Sequence, residues 1–147
     1  MTRQRNDKHS TEFGLWWRNV AIDNKTILRN PDPITSSGGI TVSNLDYMVL
    51  NWKTKRWFLC EEKRYNSELT SSQRRIIGTL ASSIQNSNYR GFFLITFEKT
   101  NPKDGAMWLN SQKITEQDLI DFILDKKQYK PLGWTIDNYG HPMIDVS

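Results

Sequence analysis

The sequence predicts an α/β domain with a central mixed sheet flanked by helices, and three observations carry that expectation. Two apolar, β-rich runs, residues 45–52 and 56–62, are separated by the polar Lys53, Thr54 and Lys55, a connection short enough to force antiparallel pairing. Residues 91–97 (GFFLITF) form a continuous apolar, β-branched and aromatic run, as suits a central strand covered on both faces. Apolar stripes at helical spacing lie before, between and after these runs.

Taken in order, residues 1–8 are polar and expected to be flexible. Phe13, Trp16, Trp17 and Val20 then fall at i, i+3, i+4 and i+7, one face of a first helix that Ser10 or Thr11 can cap. Residues 24–44, with Pro31, Pro33 and the turn cluster 36–39, read mainly as loop, with room for a short strand at 39–42. The hairpin follows. Ile76, Ile77, Leu80 and Ile84 mark a second helix, capped by Thr70 or Ser71. After the 91–97 strand comes a turn at 101–105 and a weaker strand at 106–109. Thr115 with Asp118 three residues on is a capping-box pattern opening a last helix, buried through Leu119, Phe122 and Ile123. Pro131, Gly133 and Pro142 leave residues 131–147 a largely irregular tail, in which 133–136 could add an edge strand.

At 147 residues the chain is expected to be a single domain, 1–147. With 37% hydrophobic and 24% charged residues it should fold rather than stay disordered. No apolar stretch approaches a bilayer span and the first eight residues hold no signal-peptide core, so the expected location is cytoplasmic, with no membrane partner. One cysteine, Cys60, and two histidines, His9 and His141, exclude a Cys/His zinc site, so a catalytic metal would need carboxylate ligands. With no histidine adjacent in the motif, Cys60 reads as packing rather than nucleophile.

The net charge of +4 is unevenly placed. Between Lys53 and Arg75 stand seven basic residues (Lys53, Lys55, Arg56, Lys63, Arg64, Arg74, Arg75) against three acids, which is the whole excess. Such asymmetry fits a phosphate-bearing partner, though a solvated surface explains it equally well. On the first reading, Lys53, Lys55, Arg56, Arg64 and Arg74 are the candidate nucleic-acid contacts.

Three triplets read acid, any residue, lysine: Asp23 to Lys25, Glu61 to Lys63, and Asp125 to Lys127. A chain this long gives about one by chance when each charged type is roughly 6% of residues. Asp23 lies in a loop, and Asp125 to Lys127 closes the last helix, where lysines suit the helix dipole. Glu61 to Lys63 instead follows Trp57, Phe58, Leu59 and Cys60 at the end of a strand. Alternation there puts Glu61 and Lys63 on one face, about 7 Å apart, with Glu62 facing away. Folding the hairpin about Thr54 makes paired residue numbers sum to roughly 107 or 108, which brings Asp46 opposite Glu61 or Glu62.

Two carboxylates and a lysine therefore converge. The repulsion between carboxylates that close is removed by a divalent cation, with magnesium the natural candidate and manganese a substitute. Such a site suits phosphodiester hydrolysis. The metal would polarise a phosphate oxygen and activate water, while Lys63 positions that water or offsets transition-state charge. Gln73 falls on the inward stripe of the second helix, at its N-terminal end. It could bind water or phosphate there, or make a core-edge hydrogen bond.

These residues resemble the PD-(D/E)xK nuclease superfamily: Asp46 in ITVSNLDYMVL, Glu61 and Lys63 in RWFLCEEKR, and Gln73 in LTSSQRRII. The likeness covers residue 45 to about residue 97 and is strongest to small Holliday-junction resolvase-like members and phage-carried nucleases. It implies a restriction-endonuclease-like core and magnesium-dependent endonuclease activity on duplex or branched DNA, with a homodimer able to cut two strands. It further implies an added glutamate from the first helix, which maps onto Glu12 as a third catalytic and metal-binding residue. Glu12 could instead simply favour the helix N-terminus. Two departures keep rivals open. Leu45 replaces the proline before the acid, whereas Pro31 and Asp32 spell the literal dipeptide, and Glu62 competes with Glu61 if a bulge shifts the register.

Six tryptophans (16, 17, 52, 57, 108 and 134) raise base stacking, particularly Trp52 and Trp57 beside Lys53, Lys55 and Arg56, with core packing the default. Other readings keep the fold without the chemistry: a nucleic-acid-binding module, or a protein-interaction domain such as an inhibitor.

Overall fold

The computed structural model describes Glu12 and residues 45–146. The chain divides into two compact units, Met1–Val42 and Ser43–Ser147. In the first, Glu12 is helical and exposed. The Phe13, Trp16, Trp17 and Val20 stripe, its Ser10 or Thr11 cap, the strand at 39–42 and the rival Asp32 lie outside the described residues.

In the second unit the hairpin forms as the short polar turn requires. β1 (Tyr47–Leu50) pairs antiparallel with β2 (Trp57–Arg64), every paired sum being 107, from Tyr47 with Cys60 to Leu50 with Trp57. β2 runs two residues beyond the expected strand, so Glu61 and Lys63 sit within it. α1 (Ser71–Ser83) crosses over to β3 (Tyr89–Phe97), which lies parallel to β2 as the central strand of a five-stranded mixed sheet. The expected Thr115–Asp118 capping box opens α2 (Glu116–Ile123), and Thr70, one of the two expected caps of α1, forms a second box with Gln73 that the sequence reading did not name.

Each sheet face has its own core. α2 closes one, where Leu119 and Phe122 meet Phe58, Cys60, Phe93, Ile95 and Phe97. On the other, Leu69, Ile77 and Ile144 cover Leu59 and Phe92. Trp57 and Leu59, and by alternation Glu61 and Lys63, therefore belong to the α1 side. The one bulge between β2 and β3 falls between Trp57 and Leu59, where Gly91 takes φ 116° against the Pro131 ring. The Glu61 to Lys63 stretch keeps its register.

Two elements depart from the sequence reading. β4 (Met107–Leu109) continues into a hairpin with β5 (Gln112–Ile114) through Asn110 and Ser111, at φ 49° and 70°. That is the left-handed pair a two-residue turn needs, without the Asn-Gly signature that announces it. In the tail a strand forms at 134–136, as the sequence allowed, but it does not extend the main sheet. β6 (Trp134–Ile136) and β7 (Pro142–Ile144) form a separate two-stranded sheet, with Ile144 fully buried. Gly78 on α1 leaves the space β7 occupies: a Cβ there would lie 2.5 Å from the Pro142 carbonyl oxygen.

Candidate functional site

The paired sum of 107 continues one step past β1 to set Asp46 opposite Glu61, and backbone hydrogen bonds lock the two together. The Asp46 N–H donates to Glu61 Oε1 at 2.9 Å, and the Glu62 N–H donates to Asp46 Oδ2 at 3.0 Å. Glu61 is 1% exposed, a carboxylate placed where β2 otherwise carries apolar side chains. Burial pushes its pKa from 4.5 up to about 7; a hydrogen bond shared with the Asp46 carboxyl adds to the rise, while the Asp46 N–H and the Lys63 charge oppose it. Glu62 points to the opposite face, exposed, where it accepts from the Tyr47 hydroxyl at 3.0 Å. Of the two glutamates, Glu61 is the one that meets Asp46.

Lys63 is half-buried and makes no ion pair among the described residues. It lines a cleft of about 300 Å³ with Glu62, Arg64, Phe97, Lys99 and Thr100, at the carboxyl ends of the parallel strands β2 and β3. Lys99 and Thr100 were not singled out in the sequence. They reach Lys63 because parallel pairing aligns Lys63 with Thr96, across a crossover that local pattern does not report. Among the described residues Lys99 is held by an exposed pair with Asp104 at 3.6 Å, weak enough to exchange for a phosphate.

The remaining candidates separate. Lys53 and Lys55 are exposed at the hairpin tip, and Arg64 is exposed beside the cleft. Arg56 is not a free cation: its Nη1 donates to Asp125 Oδ1 at 2.7 Å. Arg74 Nε donates to the Ile144 carbonyl at 3.1 Å, tying α1 to β7. Gln73 is half-buried, and its Oε1 accepts from the Thr70 N–H at 3.0 Å, so its side chain is engaged in the helix cap. Asp125, expected to close the last helix, adopts φ 62° beyond it and takes both Arg56 and Arg90, at 2.7 and 3.4 Å. The packing default holds for Trp57, against Tyr89 at 4.6 Å, and fails for Trp52, which is 86% exposed. Cys60 is buried packing, its thiol pushed up to about 12 by burial and by the neighbouring carboxylates.

Asp46 and Glu61 together offer hard oxygen donors whose mutual repulsion a divalent cation would relieve, and this donor chemistry fits magnesium. Among the described residues no three Asp, Glu, His or Cys converge, so the pair is the donor set they supply. No helix among them is long and apolar enough to cross a membrane. Comparison of the chain with protein-family models, curated proteins and solved structures gives no match.

Proposed function

We propose that the chain is a metal-dependent nuclease of the PD-(D/E)xK type, an endonuclease that hydrolyses phosphodiester bonds in duplex or branched DNA. It would act in the cytoplasm, use magnesium with manganese able to substitute, and work as a homodimer where two strands are cut. One observation carries the reading. Glu61 is buried against a second carboxylate, with no cation within ion-pair distance among the described residues, although such a group is costly to keep. The order of antiparallel hairpin, helix and parallel strand, with Asp46 at the head of the first strand, Glu61 and Lys63 on the next and Gln73 on the helix that follows, supports the reading.

In this reading Asp46 and Glu61 hold the cation, which when bound polarises a phosphate oxygen and acidifies water. The backbone N–H bonds to Glu61 Oε1 and Asp46 Oδ2 fix both carboxylates before substrate arrives. Lys63, two residues along the same strand face, orients the attacking water and offsets charge growing on the phosphate. Arg64 and Lys99, on the cleft, draw the neighbouring phosphates in. Glu12 as a further ligand follows from the resemblance alone.

Labelled linear, branched and single-stranded DNA and RNA, incubated with magnesium, manganese or chelator, test this. Metal-dependent products are expected, reduced about 10²- to 10⁴-fold in folded Asp46→Ala and Lys63→Ala. Undiminished cleavage by either variant rejects the assignment. Salt-sensitive binding without products would make the chain a nucleic-acid-binding module instead.

A further inference from the structure

Resting on the nucleic-acid reading above, we propose that the β1–β2 turn is a base-stacking probe. Trp52 stacks on an unpaired base and Lys53 and Lys55 grip the flanking phosphates, so the substrate class is DNA whose duplex adjoins unpaired bases.

The turn is built to hold Trp52 outward. Asn51 Oδ1 accepts from the N–H groups of Lys53 and Thr54 at 2.9 and 3.2 Å, and the Lys55 N–H donates to the Asn51 carbonyl at 2.7 Å. Lys55 takes φ 64° to close the turn. Both ends are pinned to the body, Asn51 Nδ2 donating to the Leu124 carbonyl at 3.2 Å and Arg56 to buried Asp125 at 2.7 Å. A turn fixed this way loses little freedom on binding.

Trp57 and Trp108 pack on Tyr89 and Tyr65, whereas Trp52 has no aromatic partner among the described residues and is 86% exposed. Residues 51–56 contain no acid, so the exposed indole has the cations Lys53 and Lys55 as its charged neighbours within the turn, and the one carboxylate bonded to the turn, Asp125, is neutralised by Arg56 and Arg90. An aromatic platform beside lysines is how sequence-tolerant single-strand binding is made; the charge selects a polyanion over an apolar surface. Exposed Met48 and Leu50 continue the apolar strip from the turn toward Asp46, on the sheet face that carries Glu61. Four residue steps of strand separate the turn from the Asp46–Glu61 pair (Leu50 to Asp46, Trp57 to Glu61), about 13 Å or roughly four base steps of a duplex.

Fluorescence anisotropy in chelator, on a short duplex, the same duplex with a single-stranded flap, and a free single strand, tests the proposal. Trp52→Ala should bind the flap and the single strand about tenfold more weakly and the duplex unchanged, with Trp52→Phe restoring most of the loss. Lys53→Ala with Lys55→Ala should lower the salt slope on single strands by about 1.4, two phosphate contacts at about 0.7 each. Thermal melting of the Trp52 variants should match the parent, since the side chain is exposed. Equal binding of the flap by wild type and Trp52→Ala overturns the proposal, as does an equal loss on duplex and flap, or a wild-type protein that binds none of the three. Chelator silences hydrolysis, so cleavage of the same ligands with magnesium decides the nuclease reading separately.

Discussion

Glu61 and Asp125 each open an acid-x-lysine triplet and each is buried, yet their surroundings are opposite. Asp125 lies between Arg56 and Arg90 and also accepts from Gln128 at 2.6 Å. Burial alone would raise its pKa; hydrogen bonds from Gln128 and Thr54 and the two arginine charges outweigh that and hold it down. Glu61 has a second carboxylate instead of an arginine, and its pKa rises. The lysines differ likewise: Lys127 is spent on Asp118 at 2.7 Å, while Lys63 makes no ion pair among the described residues. One triplet is charge-balanced architecture, and the other leaves an imbalance that a cation and a phosphate would complete.

The largest effect should follow from breaking the balanced site. Arg90 is buried between the rings of Phe58 and Phe122, 5.2 and 4.3 Å from their centroids, so its charge depends on Asp125. Asp125→Ala should cost about 3–5 kcal/mol in urea unfolding, because it strands that guanidinium. A loss under about 1 kcal/mol would mean that the rings, not the carboxylate, neutralise Arg90.

The sequence disclosed what is local. Turn length set the hairpin register that brings Asp46 to Glu61, alternation set the face shared by Glu61 and Lys63, and the capping residues marked both helix starts. What stayed hidden joins residues far apart. Arg56 and Asp125 are 69 positions apart, so a basic hairpin read locally as a phosphate surface, although one of its cations belongs to the core edge. Pro142 read as a breaker because nothing nearby revealed that it could open a strand packed on Gly78. Gln73 satisfied two readings at once, since an inward amide at a helix start is also placed to complete a capping box.

Removing the imbalance should have the next largest effect, and with the opposite sign. Between about 4.5 and about 7 the folded chain keeps a proton on Glu61 that the unfolded chain has lost. The stability this group contributes is therefore full below 4.5 and is lost as pH rises through 7, by at most about 1.4 kcal/mol per pH unit. Glu61→Gln should flatten that slope and unfold at higher denaturant than wild type at pH 8 in chelator. Magnesium should stabilise wild type at that pH, by mass action, and not the variant. Parallel slopes for the two proteins would show that Glu61 carries no such strain.

The smallest effect tests whether Arg56 belongs to the fold or to the substrate. Its side chain is 36% exposed, and when it is removed Asp125 keeps both Arg90 and Gln128. Arg56→Met should therefore cost no more than about 1 kcal/mol, shrinking further in high salt. The side chain already has a carboxylate partner, so DNA binding should keep its salt dependence in Arg56→Met, whereas replacing Lys53 and Lys55 lowers it. A salt slope that falls by about one would instead mean that Arg56 leaves Asp125 for a phosphate. In that case the balanced site would itself be part of the interface, releasing a cation on binding while Arg90 alone keeps Asp125 neutralised.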